Sequence, residues 1–232
     1  MKLRKRLYLL AVSLFVVVLL ITSVELLSFR TSFYDKMYRK LEVANTIGIS
    51  DVDLHRATEV LLDYTKGKTD TLDLEVEVDG RIVEMFNQRE KDHMVDVQVL
   101  MKAVLMIRNI ATVFVAAMLV ISLGMGDYLD FLLNKEILGK VLFGALFILA
   151  ALGIFILVDF DSFWTLFHKV LFRNDLWLLN PATDRLIMMV PLEFFTALVY
   201  RILASFVFIF MILGGAYALL TWKVNYDTRR LV

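Results

Sequence analysis

Four long apolar runs, at residues 7–27, 110–125, 141–158 and 197–220, constrain this chain more than any other feature. A helix rises 1.5 Å per residue, so about 20 apolar residues cross the hydrocarbon of a bilayer. Lipid offers no partner to unpaired backbone groups, which leaves the helix as the conformation for runs of this length. A hydrophobic content of 59% with only two prolines in 232 residues agrees. The second run is short, but apolar residues continue upstream through Val99, Leu100, Val104 and Leu105. Lys102 and Arg108 have side chains long enough to reach an interface from that extension. The chain reads as a polytopic α-helical membrane protein with four transmembrane helices.

Flanking charge sets the expected orientation, because Lys and Arg concentrate on the cytoplasmic side. Lys2, Arg4, Lys5 and Arg6 precede the first run, and Lys223, Arg229 and Arg230 follow the last. Both termini are expected in the cytoplasm, with the protein multi-pass in the plasma membrane. The first run is longer than a signal-peptide core and no A-x-A site follows, so it is expected to be retained. The resulting segments are 1–29 (basic terminus and first span), 30–98 (an outer α+β domain), 99–126 (second span) and 127–140 (inner loop). Residues 141–158 form the third span, 159–196 an outer interfacial segment, and 197–232 the fourth span with a cytoplasmic tail. Phe160, Phe163, Trp164, Phe167, Phe172, Trp177, Phe194, Phe195 and Tyr200 supply the aromatic belt such an outer interface would carry.

Several chemistries are excluded or left without support. Twenty-five basic residues balance twenty-five acidic ones, so no field points to nucleic acid. The absence of cysteine excludes disulfides, thiolate-bound zinc and a thiol acyl-enzyme. No HExxH, G-x-S-x-G or glycine-rich phosphate loop occurs, and neither a cofactor nor a metal is expected.

The segment 30–98 has the grammar of a small fold. Ser50 and Asp53 suit a helix start, Leu54, Ala57, Leu61 and Leu62 continue one face, and Gly67 marks an end. In LDLEVEVDGRIVEMF, Leu72, Leu74, Val76 and Val78 alternate with acids up to Asp79-Gly80, the signature of a β-hairpin with a type I′ turn. An isolated hairpin is marginal in water, so it must pack on helices, further strands or the membrane surface. Asn87 and Glu90 then suit a capping box opening a helix that continues into the second span.

Three histidines occur. On the helix after Asn87, His93, Asp96, Val97 and Leu100 share a face, which places a carboxylate within reach of an imidazole and would raise its basicity. Phe163, Trp164, Phe167, His168 and Leu171 recur at helical spacing, with Arg173, Asn174 and Asp175 just beyond and an Asn180-Pro181 turn following. This segment is expected to lie along the outer interface, carrying His168 at headgroup depth. His55, among Asp53, Arg56 and Glu59, reads as a surface residue. Glu25, the only charge inside the first span, is a supporting candidate. Two imidazoles near a bilayer edge suit proton transfer on a lipid ester. Two other readings stand beside it. One is a membrane protein that binds or senses a partner; the other is a metal-dependent lipid hydrolase using His93, His168 and a carboxylate such as Asp184.

The pieces FYDKMYRK, NTIGIS, LLDYTKG, REKDHMVDV, FHKVLFRNDLWLLNPATDRLI and PLEFF occur in this order between residues 33 and 195. Together they resemble the bacterial lipoprotein intramolecular transacylase family, with HMVDV and the FH to NDLWLL block the most specific. The resemblance implies an integral membrane acyltransferase without cofactor or metal. Its substrates would be diacylglyceryl-modified lipoproteins in a lipid setting, and its product the lyso form, with the sn-2 acyl chain moved to the α-amino group of the same cysteine. It implies His93 and His168 as the catalytic pair; by their positions in the sequence Asp96, Arg173, Asn174, Asp175 and Glu25 are supporting candidates. His168 is expected to act as base, His93 held by Asp96 as acid or positioner, and Asn174 or Arg173 as oxyanion donor. The chain departs from the pattern at Asn180, where an acid is expected before Pro181, and at Thr65, where an aliphatic residue is expected.

Overall fold

The computed structural model describes residues 2–127 and 134–230. Its elements run α1 Lys2–Ser28, α2 Thr31–Leu41, α3 Val43–Ile47, α4 Asp51–Thr65, β1 Glu75–Val78, β2 Arg81–Glu84 and α5 Gln88–Gly124. Then follow α6 Lys135–Val158, α7 Phe160–Leu171, α8 Arg185–Met189 and α9 Leu192–Arg230. Among the described residues, α1, α5, α6 and α9 are long and apolar enough to cross a membrane. The expected inner loop at 127–140 falls partly outside the described residues, at 128–133. Its last part is helical, because the Asn134 side chain accepts from Ile137 N at 3.0 Å and caps α6 six residues before the apolar run.

The chain divides into two compact units. The first comprises Met1–Val24, Ile107–Phe155 and Tyr200–Val232. Tyr8, Ala11, Met118 and Ile137 pack together there. Beside them Arg4 Nε donates to Tyr8 Oη (2.9 Å), which donates to Asp127 Oδ2 (2.7 Å). Arg4 also pairs with Asp127, and Lys5 with Glu136 at 3.4 Å.

The second unit, Glu25–Met106 with Ile156–Val199, holds both site histidines. Its core is aromatic. Phe194 is fully buried, with ring centroids of Tyr34 at 4.8 Å and Phe33 at 5.2 Å. Burial this dense forces the phenols to find partners. Tyr34 Oη donates to the Ser28 carbonyl at 2.9 Å. Thr58 Oγ1 gives its hydrogen to the Leu54 carbonyl, so Tyr38 Oη donates to Thr58 at 2.8 Å. Burial raises the pKa of both phenols above the ordinary tyrosine value, and they stay protonated.

The local signals act as read. Ser50 accepts from Asp53 N and caps α4, and Leu54, Ala57, Leu61 and Leu62 are its buried face. Strands β1 and β2 pair antiparallel with Val76 opposite Val83, and Asp79 and Gly80 both take positive φ, as a type I′ turn requires. Among the described residues, helices and a loop, rather than further strands, hold the hairpin. Arg56 of α4 donates to the Glu75 carbonyl, Asp79 N to the Gly48 carbonyl, and Lys91 of α5 pairs with Asp73 and Glu84.

The start of α5 is the most tightly built point. Asn87 N donates to Glu90 Oε2 (2.7 Å) and Glu90 N to Asn87 Oδ1 (3.0 Å), a complete capping box. Glu90 is only 1% exposed, and its other oxygen accepts from Leu186 N at the start of α8. Asn87 Nδ2 donates to Asp184 Oδ1 (2.8 Å). Glu90→Ala leaves two N–H groups without their acceptor, at a cost of about 2–5 kcal/mol. The expected result is a clear fall in the thermal unfolding midpoint in detergent, and an unchanged midpoint would contradict the role given to Glu90.

Candidate active site

Although 75 positions separate them in sequence, His93 and His168 meet. Their ring centroids lie 6.3 Å apart with planes inclined by 37°. Each side chain is carried by a helix, His93 by α5 in the second turn after the Asn87 cap and His168 by α7. The first eleven residues of α5 include Arg89, Glu90, Lys91, Asp92 and Asp96. So charged a stretch lies outside the hydrocarbon, and the bilayer-grade part of α5 begins beyond it. Helix α7 is capped by Asp159, whose side chain accepts from Ser162 N at 3.0 Å.

Rings enclose His168. Trp177 stacks on it at 4.9 Å and 25°, Trp164 meets it edge-on at 4.7 Å and 75°, Phe167 lies at 5.4 Å, and Phe172 at 5.6 Å. Phe172 also meets His93 at 5.4 Å, and Trp164 stacks on Phe195 at 4.3 Å. His168 Nδ1 lies 2.8 Å from the Trp164 carbonyl. A carbonyl only accepts, so Nδ1 carries the hydrogen and, in the neutral ring, Nε2 keeps its lone pair.

Both imidazoles are 7% exposed. Burial pushes the His93 pKa down to about 4, helped by His168 and Arg89 and opposed by Asp96. Burial also lowers His168, against the pull of the Trp164 carbonyl. The expectation that Asp96 would hold His93 by a direct bond is corrected by this geometry. Asp96 Oδ2 accepts from Asn174 Nδ2 at 2.8 Å, and His93 Nδ1 is buried without a hydrogen-bond partner among the described residues. Asp96 still favours protonation of His93 through space, but desolvation outweighs it.

Asn174 joins the site through that bond, and its orientation is fixed because Oδ1 accepts from Leu176 N at 3.1 Å. One amide hydrogen remains beyond the one given to Asp96. Arg173 and Asp175 are exposed, and Asp175 enters through its carbonyl, which accepts from Arg89 Nη2 at 2.6 Å. Glu25 is half-buried near the end of α1. His55 is half-exposed beside Asp35 (3.2 Å) and Glu59 (3.6 Å).

Asp184 does not serve as a third ligand to the histidines. It is 3% exposed, and its oxygens accept from Asn180 N (2.7 Å), Asn87 Nδ2 (2.8 Å) and Thr183 Oγ1 (2.8 Å). Among the described residues no group of three His, Cys, Asp or Glu side chains is arranged to hold a metal. Asn180 occupies its unexpected place by turning the chain: its Oδ1 accepts from Ala182 N and its carbonyl from Asp184 N. Sequence reasoning missed the stack of Trp177 on His168, the grip of Arg89 on the 175–178 turn and the second bond of Glu90. A tryptophan beside the Arg173-Asn174-Asp175 cluster was the one local signal.

Residues 8–195 match the profile of the family described as lipoprotein intramolecular transacylase Lit. Three solved structures of the membrane integral Lit transacylase from Bacillus cereus share the fold. One superposes with a TM-score of 0.79 at 20% identity, covering 97% of this chain and 100% of that one. A variant with a histidine replaced by alanine gives 0.73 at 19% identity over 97% and 96%, and one with a histidine replaced by arginine gives 0.70 at 20% over 97% and 94%. No match was found among curated proteins. The profile spans well over half the chain and contains both histidines of the buried pair, so this multi-pass membrane protein belongs to the lipoprotein intramolecular transacylase family.

Proposed function

We propose that the protein moves the sn-2 acyl chain of a diacylglyceryl-modified, N-terminal cysteine of a lipoprotein onto that residue's own α-amino group, giving the lyso form. The observation that carries this is the pair of buried imidazoles 6.3 Å apart, in a chain with no cysteine. A hydrolase or intermolecular acyltransferase of the covalent kind needs its own nucleophile. In an O-to-N shift the substrate brings both nucleophile and ester, and the protein has only to place them and move protons.

The amine attacks the ester carbonyl, forming the C–N bond, and the tetrahedral oxyanion collapses with loss of the glyceryl oxygen. The amine proton passes to an imidazole and a proton returns to the glyceryl alkoxide, so ester and amine become amide and alcohol with no outside reactant. His168 suits the base, because its Nδ1–H is committed to the Trp164 carbonyl and Nε2 is left to accept. His93 stands beside it as the partner that positions the substrate or relays the proton. A free α-amine has a pKa near 8, so apolar surroundings that keep both rings unprotonated also favour its neutral, attacking form. Holding amine and ester together can supply effective molarities of about 10⁵–10⁸ M. The remaining amide hydrogen of Asn174 is the candidate donor to the oxyanion, with Arg173 as the other. The basic flanks of the first and last spans support a site facing outside, with both termini in the cytoplasm.

The deciding assay uses a host without other lipoprotein N-acylation, carrying a reporter lipoprotein with wild type, His93→Ala or His168→Ala. The shift leaves total mass unchanged, so fragment spectra of the reporter's N-terminal peptide are read. Wild type should place acyl on nitrogen and neither variant should; acyl left on the glyceryl in every case ends the transacylase reading. Asn174→Ala should lose about 10²–10³-fold in kcat, the usual range for one oxyanion donor, while still accumulating in the membrane. Normal turnover there would remove Asn174 from the site.

The depressed histidines also fix a sign. Between the unfolded value of 6.5 and the folded value of about 4 for His93, the unfolded chain binds more protons. The contribution of His93 is therefore complete above pH 6.5 and lost as pH falls toward 4. The unfolding midpoint in detergent should drop across that window and drop less in His93→Gln; equal slopes in the two proteins would contradict the burial argument.

A further inference from the structure

We infer that Arg89 is a positioning residue for the reaction, gripping the turn after α7 so that Trp177 lies flat on the His168 ring. The two hydrogens of its Nη2 go to the carbonyls of Asp175 (2.6 Å) and Leu178 (3.1 Å), which bracket Trp177. Residues 173–179 contain no helix or strand. Within the turn, Leu178 N donates to the Asp175 carbonyl and Leu179 N to that of Trp177. Those bonds shape the turn but do not place it. The grip of Arg89 and the bond from Asn174 to Asp96 tie it to α5.

Arg89 and His93 are four residues apart on one helix and therefore share a face. A mechanical circuit follows. Helix α5 carries His93 and, through Arg89, the backbone of Trp177; Trp177 stacks on His168, whose ring lies 6.3 Å from His93. The spacing of the two imidazoles is thus referred to a single helix, although they come from different segments. A guanidinium suits this task, because one planar nitrogen presents two hydrogens in a fixed fork, whereas an ammonium is a rotating point charge. The same cation also disfavours protonation of His93.

The effect on turnover rests on the transacylase reading; the effect on geometry does not, and the test separates them. The full chain in detergent, labelled in its histidine rings, is compared as wild type, Arg89→Gln, Trp177→Phe and the double variant. Trp177 imposes a ring-current shift on the His168 ring protons, so those resonances should move in Arg89→Gln toward their position in Trp177→Phe. Unmoved resonances in Arg89→Gln overturn the proposal whatever the turnover. With a diacylglyceryl lipopeptide as substrate, each single variant should lose about tenfold in kcat with KM changed by less than about threefold. The double variant should be no slower than the worse single one, since both changes break one link. Multiplying losses, or wild-type kcat in Arg89→Gln, overturn it. Arg89→Lys, which keeps the charge without the fork, serves if the glutamine variant does not accumulate: wild-type resonances and kcat in it also overturn the proposal. If wild type itself transfers nothing, the transacylase reading falls while the resonances still decide the grip.

Discussion

The buried carboxylate of Glu90 holds the second unit in register. One oxygen closes the capping box that starts α5 and the other accepts from the first helical residues after Asp184. A carboxylate at 1% exposure survives only if both oxygens are satisfied, so the two backbone stretches that satisfy them cannot drift apart without uncovering a charge. Asn87, in the same box, reaches Asp184 on the second stretch. The segment that follows α7 is therefore fastened at its far end, and Arg89 and Asp96 fasten it nearer to His168.

Within that frame the site combines two environments that ordinarily conflict. On the mechanism proposed above, proton transfer needs polar groups and the acyl chain an apolar surface. Indole and phenyl rings resolve the conflict, since they present apolar area to lipid while leaving a single polar direction at each imidazole. His168 has one nitrogen anchored to the Trp164 carbonyl, and His93 has a buried nitrogen with no hydrogen-bond partner among the described residues. Such a buried polar atom is costly, and on the mechanism proposed above a substrate amine or carbonyl offsets that cost.

Local signals made much of this legible. The four apolar helices, the Ser50 cap, the Asp79-Gly80 turn and the Asn87-Glu90 box all follow from short-range spacing, and all are present. The two histidines stood out because each lay near a membrane boundary with polar neighbours. The partner of Asp96 was misassigned, because helical spacing shows which residues could touch but not which distant group arrives first. Asn174, 78 positions away, takes that carboxylate. The beginning of α6 was missed for a related reason: an apolar run marks where lipid begins, whereas Asn134 marks where the helix begins. The second bond of Glu90 and the fork of Arg89 are purely tertiary, and no window of the sequence contains both ends of either.

The placement of the two histidines has a consequence for how the protein comes into being. His93 is translated before α6 and His168 after it, and the rings that enclose His168 extend to Trp177 and, behind Trp164, to Phe195. A nascent chain that reaches only through its first two apolar helices carries one imidazole of the pair and lacks the other. The pair is complete only once the third apolar helix has been made and the segment beyond it has folded back. On the mechanism proposed above, activity is therefore a readout of completed assembly.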